Sequence, residues 1–288
     1  MQYLVFGAGG YIGHFLYDCM KAEGLDVIGT AHRCSYGQDM VRFDALSDSA
    51  FHITKLIEGK EKTAIICIGQ ANIDKCLVEY ELSKKINVVF IKEVTEILTQ
   101  EGFQVIYFST DNVFDGRKGN YSEQSKTCAI NNYGKMKEEI EHFLLDKYPD
   151  VCTFRLPKVL GTQRERQNIL TDFENRAEDG EICCIKGNIM SIISKKDIYR
   201  ACLIASARRM YGIYNLSSGE VYSRKGLAVK FLSKLGVCPE KVIEMELKEF
   251  NFKDARPLNI SLDNSKFRCE TGYEFETVDM LIKQYNKE

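Results

Sequence analysis

Several features that mark particular classes of protein are absent from this 288-residue sequence or rare in it. There is no tryptophan, and none of the four histidines has metal-ligand spacing to another. No apolar run approaches the roughly 18 residues that span a bilayer, so we expect no membrane-spanning segment. The 39 basic and 41 acidic residues nearly balance, which gives no reason to expect nucleic acid or an acidic membrane as a partner.

The eleven cysteines are scattered along the chain and form no C-x-x-C pair. Their odd number and wide spacing argue against a disulfide framework and against a zinc site. We therefore expect reduced, packed cysteines, no bound metal and a cytoplasmic location. The first residues lead directly into a glycine loop, which leaves no room for a cleavable leader.

The amino-terminal segment has the pattern of a dinucleotide-binding strand, loop and helix. An apolar strand at residues 3–6 is followed by three glycines and an amphipathic run. Glycines at this spacing allow a tight turn and a close approach of the backbone to a pyrophosphate, which the amides of the helix start can bind. The residues expected to contact a nicotinamide dinucleotide here are Gly7, Gly10, Tyr11, Ile12 and Gly13.

The residues after the second predicted strand, at 26–29, bear on which dinucleotide is bound. NAD enzymes usually carry an acidic residue there for the ribose 2′-hydroxyl, whereas this chain has Arg33, which could pair with a 2′-phosphate. We expect NADPH in preference to NADH, with use of both left open; a solvent-exposed Arg33 is the alternative. Asp44, after a short third strand, is either a partner of the adenine amino group or a helix cap.

Strands alternate with helices through the first half of the chain, which indicates a parallel sheet with helices on both faces. The predicted fold is α/β, a Rossmann-type doubly wound parallel sheet with a smaller carboxyl-terminal lobe. Residues 1–155 would form the nucleotide-binding domain, and residues 190–215 would return to it. Residues 156–189 and 216–288 would form the substrate-binding lobe. No linker rich in Pro, Gly or Ser separates the two, so we expect them to be interleaved.

The main chemical signal follows the fifth predicted strand, at residues 104–108. Thr110 comes at the end of this strand, and Tyr133 and Lys137 lie at i and i+4 on a later helix, so phenol and ammonium share a face. A nearby ammonium, together with the positive charge of the oxidised nicotinamide, favours the phenolate and is expected to lower the tyrosine pKa from about 10. Tyr133 could then act as general acid towards a carbonyl oxygen, and Thr110 could stabilise the oxyanion. We predict a carbonyl reductase or alcohol dehydrogenase, in which Lys137 also binds the nicotinamide ribose.

Four motifs resemble those of the extended short-chain dehydrogenase/reductases, and within them the dTDP-4-dehydrorhamnose reductase group. They are the glycine spacing, the run Ser-Thr-Asp-Asn-Val-Phe-Asp-Gly at residues 109–116, the run Gly-Asn-Tyr-Ser-Glu at residues 119–123, and Arg-Pro-Leu-Asn-Ile-Ser-Leu-Asp-Asn-Ser-Lys at residues 256–266. The last is the most specific. The resemblance spans nearly the whole chain.

The resemblance implies an NAD(P)H-dependent reductase of a nucleotide-linked 4-keto-6-deoxy sugar, in deoxysugar and polysaccharide biosynthesis. It implies that the threonine, tyrosine and lysine above form the catalytic triad. By the same resemblance Cys67, Ile68 and Gly69 would line the cofactor. Arg256 would lie near the substrate diphosphate, whose oxygens match a guanidinium fork, or else be a solvated or structurally paired arginine.

Two positions depart from the group, and both face the sugar in its members. Asn112 stands where the group usually has tyrosine, and Lys158 stands where it has tryptophan. Lys158 would meet an anionic group on a different sugar, or be a surface lysine. Asn168 falls where the group has a substrate-contacting asparagine. The predicted substrate-binding residues are Asn112, Lys158, Asn168 and Arg256.

Two other functions are compatible with these motifs. One is a nucleotide-binding regulatory subunit, as in the family member that serves as the β subunit of methionine adenosyltransferase. The other is a sugar-nucleotide epimerase or dehydratase of the same fold, which is less favoured because dehydratases generally carry two acidic residues where this chain has Asp111 and Asn112. A homodimer is compatible with the sequence, which does not specify an oligomeric state.

Overall fold

The computed structural model describes residues 1–32, 40–165 and 167–285. Arg33, on which the cofactor prediction depends, lies outside these residues. Within them the strands are, in chain order, β1 (Gln2–Phe6), β2 (Asp26–Ala31), β3 (Met40–Arg42), β4 (Lys62–Ile66), β5 (Gln104–Thr110), β6 (Cys152–Leu156), β7 (Lys158–Leu160), β8 (Ile182–Ile185), β9 (Ile189–Ser194), β10 (Gly212–Asn215), β11 (Val221–Ser223) and β12 (Val242–Met245).

The helices of the described residues lie between and after these strands. A π-helical turn at Lys85–Val89 joins the fourth and fifth of them into one longer helical segment. In chain order they are α1 (Tyr11–Ala22), α2 (Ala50–Thr54), α3 (Ile73–Val78), α4 (Tyr80–Lys84), α5 (Phe90–Gln100), α6 (Asn132–Lys147), α7 (Ile169–Asp179), α8 (Lys195–Arg208), α9 (Arg224–Lys234), α10 (Ser265–Thr271) and α11 (Val278–Gln284).

The main sheet has seven strands in the order β10-β6-β5-β4-β1-β2-β3, and every neighbouring pair is parallel. Alternate residues of β5 enter different cores, because side chains on a strand point to opposite faces. Val105 and Tyr107 pack with α5 and α6, whereas Ile106 and Phe108 pack on the side of α1 and α8. The predicted doubly wound α/β fold is confirmed.

The carboxyl-terminal part of the chain adds a smaller layer beside the carboxyl ends of the main strands. Its strands form a three-stranded sheet, β11-β9-β7, and a parallel pair, β12-β8. A separate apolar core that includes Phe173 and Phe231 holds α7 and α9 together. Only part of residues 190–215, which were predicted to return to the main sheet, does so. Helix α8 and strand β10 pack with the main sheet, whereas β9 pairs with β7 and β11 in the smaller layer. The exact domain boundaries stay a prediction.

Candidate active site

A cavity of about 620 Å³ lies where the carboxyl ends of the parallel strands meet the smaller layer. One wall comes from the loops after β4 and β5 and from the start of α6, and the facing wall comes from β7, β8, β9 and the segment before Pro257. This is the crevice where open parallel sheets bind ligands, since loops at the carboxyl ends diverge there. The cavity therefore brings residues from distant parts of the chain together.

The glycine loop has a geometry that larger residues could not adopt. Gly7 has a φ of +85°, and a Cβ on it would lie 2.9 Å from the side chain of Ile68. A Cβ on Gly13 would lie 2.2 Å from the Gly7 carbonyl oxygen, so α1 packs against the loop as closely as backbone allows. Gly10 precedes α1, and Tyr11 and Ile12 line the cavity. The loop thus has the open backbone that a pyrophosphate requires.

The segment after β4 forms the neighbouring part of the cavity wall. Cys67, Ile68 and Gly69 all line the cavity, and the Cys67 amide donates to the Phe6 carbonyl at 2.9 Å. A Cβ on Gly69 would lie 3.8 Å from the Lys137 ammonium nitrogen. The three predicted cofactor-lining residues therefore lie between the glycine loop and the predicted triad.

Thr110, Tyr133 and Lys137 all line this cavity. The Thr110 hydroxyl, at the end of β5, is close enough to the Tyr133 phenol on α6 to lower the phenol's pKa as a hydrogen-bond partner. The Lys137 ammonium donates to the Phe108 carbonyl at 2.8 Å and lies 4.6 Å from the Tyr107 ring centroid. The residues predicted as a triad are thus brought together, with the lysine held against the backbone of β5.

The start of α6 explains how Tyr133 reaches Thr110. Asn131 caps the helix, because its side chain accepts the Gly134 amide at 2.8 Å. A Cβ on Gly134 would lie 2.1 Å from the Asn112 carbonyl oxygen, so only glycine allows this approach. The sequence offered a signal for Gly134, since it lies between Tyr133 and Lys137, but only the contact with the Thr110 loop shows its role.

Burial dominates the electrostatics of both Tyr133 and Lys137. It raises the pKa of Tyr133, and the charge of Asp111 adds to the rise, while the hydrogen-bonding effect of Thr110 opposes it. Burial lowers the pKa of Lys137 to about 8, although the negative charge of Glu141 acts in the other direction. The Lys137 ammonium is directed to the backbone of Phe108, and the expected lowering of the Tyr133 pKa by Lys137 together with an oxidised nicotinamide stays a prediction.

A buried ion pair behind the triad was not predicted. Arg155 donates to Glu141 through Nη2 at 2.6 Å and through Nε at 3.0 Å, and the Ser109 hydroxyl donates to the same carboxylate at 2.5 Å. Glu141 lies one helical turn after Lys137, and its side chain is 0% exposed. A buried charge is retained only where it is paired, so this network fixes α6 against β5 and β6.

Three of the four predicted substrate residues line the cavity. Asn112 lines the cavity and donates through Nδ2 to Asp111 at 2.9 Å. Lys158 lines it at the start of β7, and no hydrogen-bond or ion-pair partner for its ammonium is found among the residues that the structure describes. Arg256 lines it too, paired with Asp74 at 3.0 Å.

Asn168 requires a correction. Its side chain is 0% exposed and caps α7, accepting the Leu170 amide at 3.2 Å. The amide nitrogen donates to the Gly161 carbonyl at 2.7 Å and to the Gln163 carbonyl at 3.0 Å. These internal bonds use both the oxygen and the nitrogen of the side-chain amide, so Asn168 acts as a helix cap. Its neighbour Gln167 lines the cavity instead.

Asp44 closes a turn after β3. Its Oδ1 accepts the Leu46 amide at 3.0 Å, and its other oxygen lies 3.3 Å from His32 Nε2. The helix-cap alternative is wrong for α2, which Ser49 caps. The contact with adenine stays a prediction.

Several features of the cavity had no sequence signal. Phe250 and Phe252 stack with ring centroids 5.4 Å apart, and both line the cavity beside Arg256, whose guanidinium lies 4.4 Å from the Phe252 ring centroid. Arg176 and Arg224 also line it, and both pair with Asp172. The cavity wall therefore combines aromatic faces with an excess of positive charge.

Among the described residues, no group of three or more His, Cys, Asp and Glu side chains is arranged to hold a metal ion. None of the helices in the same residues is long and apolar enough to cross a bilayer.

The fold and the cavity define a Rossmann-type protein with a tyrosine and a lysine beside a threonine at the carboxyl end of its sheet. The model of the RmlD substrate binding domain family matches residues 1–288, and the chain belongs to this family. The predicted membership in the extended short-chain dehydrogenase/reductases, within the dTDP-4-dehydrorhamnose reductase group, is confirmed.

Individual relatives and structures agree with this membership. The β subunit of methionine adenosyltransferase 2 from Xenopus laevis is 26% identical over 277 residues, covering 91% of this chain and 80% of the relative. A crystal structure described as a hypothetical dTDP-4-dehydrorhamnose reductase from Sulfolobus tokodaii has a TM-score of 0.84 and 27% identity, covering 99% of both chains. The dTDP-4-dehydrorhamnose reductase of Bacillus anthracis in complex with NADP has a TM-score of 0.85 and 21% identity over 99% of both chains.

Proposed function

We propose that this protein is an oxidoreductase that uses NADPH, with NADH as a second option, to reduce a nucleotide-linked 4-keto-6-deoxy sugar. The observation that carries the proposal is that Thr110, Tyr133 and Lys137 line one cavity, which Tyr11 and Ile12 of the glycine-loop segment also line. A nicotinamide supplies hydride to a carbonyl carbon. Tyr133 then supplies the proton to the carbonyl oxygen, and Thr110 donates a hydrogen bond to the same oxygen as negative charge develops.

The glycine loop supports the cofactor part of the proposal. A Cβ at Gly7 would lie too close to the Ile68 side chain, and one at Gly13 would collide with the Gly7 carbonyl oxygen, so only glycine leaves the backbone of this loop accessible to a pyrophosphate. The Bacillus anthracis protein shows that this fold accommodates NADP. The preference for NADPH depends on Arg33 and stays a prediction from the sequence.

The sugar half of the proposal is supported by the chemistry of the opposite wall. Phe250 and Phe252 offer faces on which a nucleobase can stack, and Arg256 and Arg224 offer guanidinium groups for a diphosphate. Lys158 offers an ammonium without an internal partner to an acceptor on the sugar. A homodimer and a cytoplasmic location stay predictions.

A second candidate function is a nucleotide-binding regulatory subunit. The methionine adenosyltransferase 2 β subunit of Xenopus laevis matches 91% of this chain, which favours this alternative. In that case Tyr133→Phe would change no activity, although the protein would still bind NADP. The proximity of Thr110 and Tyr133 favours the reductase, because a binding protein has no need of it.

The test is NADPH consumption with a panel of dTDP-, UDP- and GDP-linked 4-keto-6-deoxyhexoses. We expect turnover with at least one, and Tyr133→Phe should lower kcat by about 10²-fold or more while affinity for the nucleotide sugar changes little. Tyr211→Phe is the control, because Tyr211 is 64% exposed. Absence of turnover with every nucleotide sugar, from folded wild-type protein, would reject the reductase.

A further inference from the structure

Residues 250–256 form an irregular segment that carries three residues of the cavity wall. Phe250, Phe252 and Arg256 line the cavity, and the Arg256 guanidinium lies 4.4 Å from the Phe252 ring centroid. The segment belongs to neither a helix nor a strand. Its position therefore depends on the groups that bind its main chain from outside, since polar backbone groups need partners.

Asp74, near the start of α3, holds one side of the 250–256 segment. Its Oδ1 accepts the main-chain amides of Lys253 at 3.0 Å and of Asp254 at 3.1 Å, and it lies 3.0 Å from Arg256 Nη2. Arg256 Nη1 donates to the Asp254 carbonyl at 3.0 Å. A guanidinium has further N–H donors, so Arg256 can bind phosphate oxygens and keep both of these contacts.

The other side of the 250–256 segment is held by the start of α6, directly before Tyr133. Asp254 Oδ2 accepts both the main-chain amide and the side-chain Nδ2 of Asn132, each at 2.9 Å. Asn132 is the first residue of α6, and Tyr133 follows it. The first amides of a helix have no partner within it, and a negative charge is favourable there. Asp254 therefore supplies the start of α6 with an acceptor from a distant part of the chain.

Asn131 ties the same two elements to the loop that carries Thr110. Its side chain is buried, and Nδ2 donates to the Ala255 carbonyl at 3.2 Å and to Asn112 Oδ1 at 3.1 Å. The 250–256 segment, the start of α6 and the loop after β5 thus meet at one buried amide. A displacement of the segment cannot leave the first turn of α6 unaffected, because close-packed, hydrogen-bonded groups transmit strain.

We propose that Asp254 is a positioning residue that couples the nucleotide of the substrate to Tyr133. A nucleobase on Phe252 and a diphosphate on Arg256 fix the 250–256 segment, and the Asp254 carboxylate then holds the first turn of α6. Binding energy from the nucleotide, which takes no part in the reaction, is thereby used to orient the phenol at the sugar, which raises kcat. This coupling rests on the proposed reductase function.

The first test follows Tyr133 without turnover. In ¹⁵N-labelled wild-type protein, saturating dTDP, UDP or GDP should shift the Arg256 Nε resonance and the Tyr133 amide resonance together. In Asp254→Ala the nucleotide should still shift Arg256 Nε, because the Arg256 contact is with a main-chain carbonyl that alanine keeps. The Tyr133 amide should no longer respond. Asp254→Asn keeps an acceptor oxygen for the Asn132 amide and should restore the response.

Three results of this titration would overturn the coupling. The first is a Tyr133 amide that does not move in wild type with nucleotide bound, which requires no variant. The second is an equal Tyr133 shift in wild type and Asp254→Ala. The third is a wild-type protein in which none of the three nucleotides shifts Arg256 Nε.

Kinetics with the nucleotide sugar that supports turnover provide the second test. Asp254→Ala should lower kcat by about tenfold or more, because small displacements of a reacting group have large effects. The KM for the nucleotide sugar and the affinity for NADPH should change little, and Asp254→Asn should recover most of the loss. Asn251→Ala, exposed in the same segment, is the matched control and should behave as wild type. An unchanged kcat in Asp254→Ala, with or without a rise in KM, would overturn the coupling.

The two proposals fail in different ways. Wild-type protein without turnover on any nucleotide sugar would reject the reductase, and the effect of Asp254 on kcat with it. Turnover that depends on Tyr133 but is the same with and without the Asp254 carboxylate would reject the coupling alone.

Discussion

Lys137 has surroundings unlike those of a solvated lysine. It is 5% exposed, donates to the Phe108 carbonyl, and its ammonium lies over the Tyr107 ring. Burial lowers its pKa to about 8, which means that the folded state disfavours the charged form. A cavity that holds a partly desolvated ammonium is prepared for a polar ligand, since a ribose hydroxyl or an anion would provide the missing acceptor.

This burial makes stability depend on pH in a defined direction. The unfolded chain binds the Lys137 proton up to about pH 10.4, whereas the folded chain loses it near 8, so the free energy of unfolding rises between these values. From about pH 7.5 to 9.5, wild type should gain about 1 to 2 kcal/mol relative to Lys137→Met. Urea unfolding of both proteins at each pH measures this. Lys135→Met, on an exposed neighbour, should follow wild type, and parallel curves for wild type and Lys137→Met would contradict the prediction.

Residue spacing was sufficient to predict which side chains meet, but not what each of them contacts. Tyr133 and Lys137 share a helix face by geometry alone, and the end of a parallel strand brings Thr110 to the same crevice. The direction of the Lys137 ammonium depends on how closely α6 approaches β5, which no local pattern encodes. Asn168 was misassigned for a related reason, because an asparagine before a helix suits a cap as well as a ligand.

At the scale of elements, the first turn of α6 positions Tyr133. It approaches the loop after β5 so closely that a Cβ at Gly134 would lie 2.1 Å from the Asn112 carbonyl oxygen. Backbone atoms cannot move aside as the end of a flexible side chain can. A larger residue in place of Gly134 therefore has to displace the helix, the loop or both.

Gly134→Ala should therefore separate Tyr133 from Thr110. We expect a loss of about 1 to 3 kcal/mol in the free energy of unfolding, as for overpacked cores. The kcat should fall by about tenfold or more, because small displacements of reacting groups have large effects. Thermal unfolding and NADPH consumption measure the two effects. Lys135→Ala, exposed on the same helix, is the matched control; equal behaviour of the two variants would contradict this account of α6.

The buried pair of Glu141 and Arg155 should hold α6 to β6 more strongly than any surface pair of the same helix. Glu141→Gln leaves the Arg155 guanidinium, which is 3% exposed, without its counter-ion. We expect a loss of about 3 to 5 kcal/mol in the free energy of unfolding, measured in urea. Glu139→Gln, on the same helix as Glu141, breaks a half-exposed pair with Lys92 of α5 and should cost less than about 1 kcal/mol. Similar losses for both variants would show that the buried network is not what anchors α6.

At the scale of the whole molecule, the alternation of strands and helices was enough to predict the main sheet. Parallel strands require crossovers, and the crossovers follow from the apolar periodicity of the chain. The smaller layer was harder to predict because its strands are short and pair across long separations, as β7 does with β9 and β8 with β12. For this reason no sequence pattern indicated that Phe250, Phe252 and Arg224 share one cavity with Tyr133.

The central claim is that this cavity transfers hydride from a nicotinamide to a sugar carbon. The most direct measurement uses NADPH deuterated at the transferable position of C4, with the nucleotide-linked 4-keto-6-deoxyhexose that supports turnover. Mass spectrometry and NMR of the product should find one deuterium per NADPH oxidised, at the carbon that carried the keto group. Binding of both ligands with no deuterium in the sugar would contradict the account, and would favour the regulatory subunit instead.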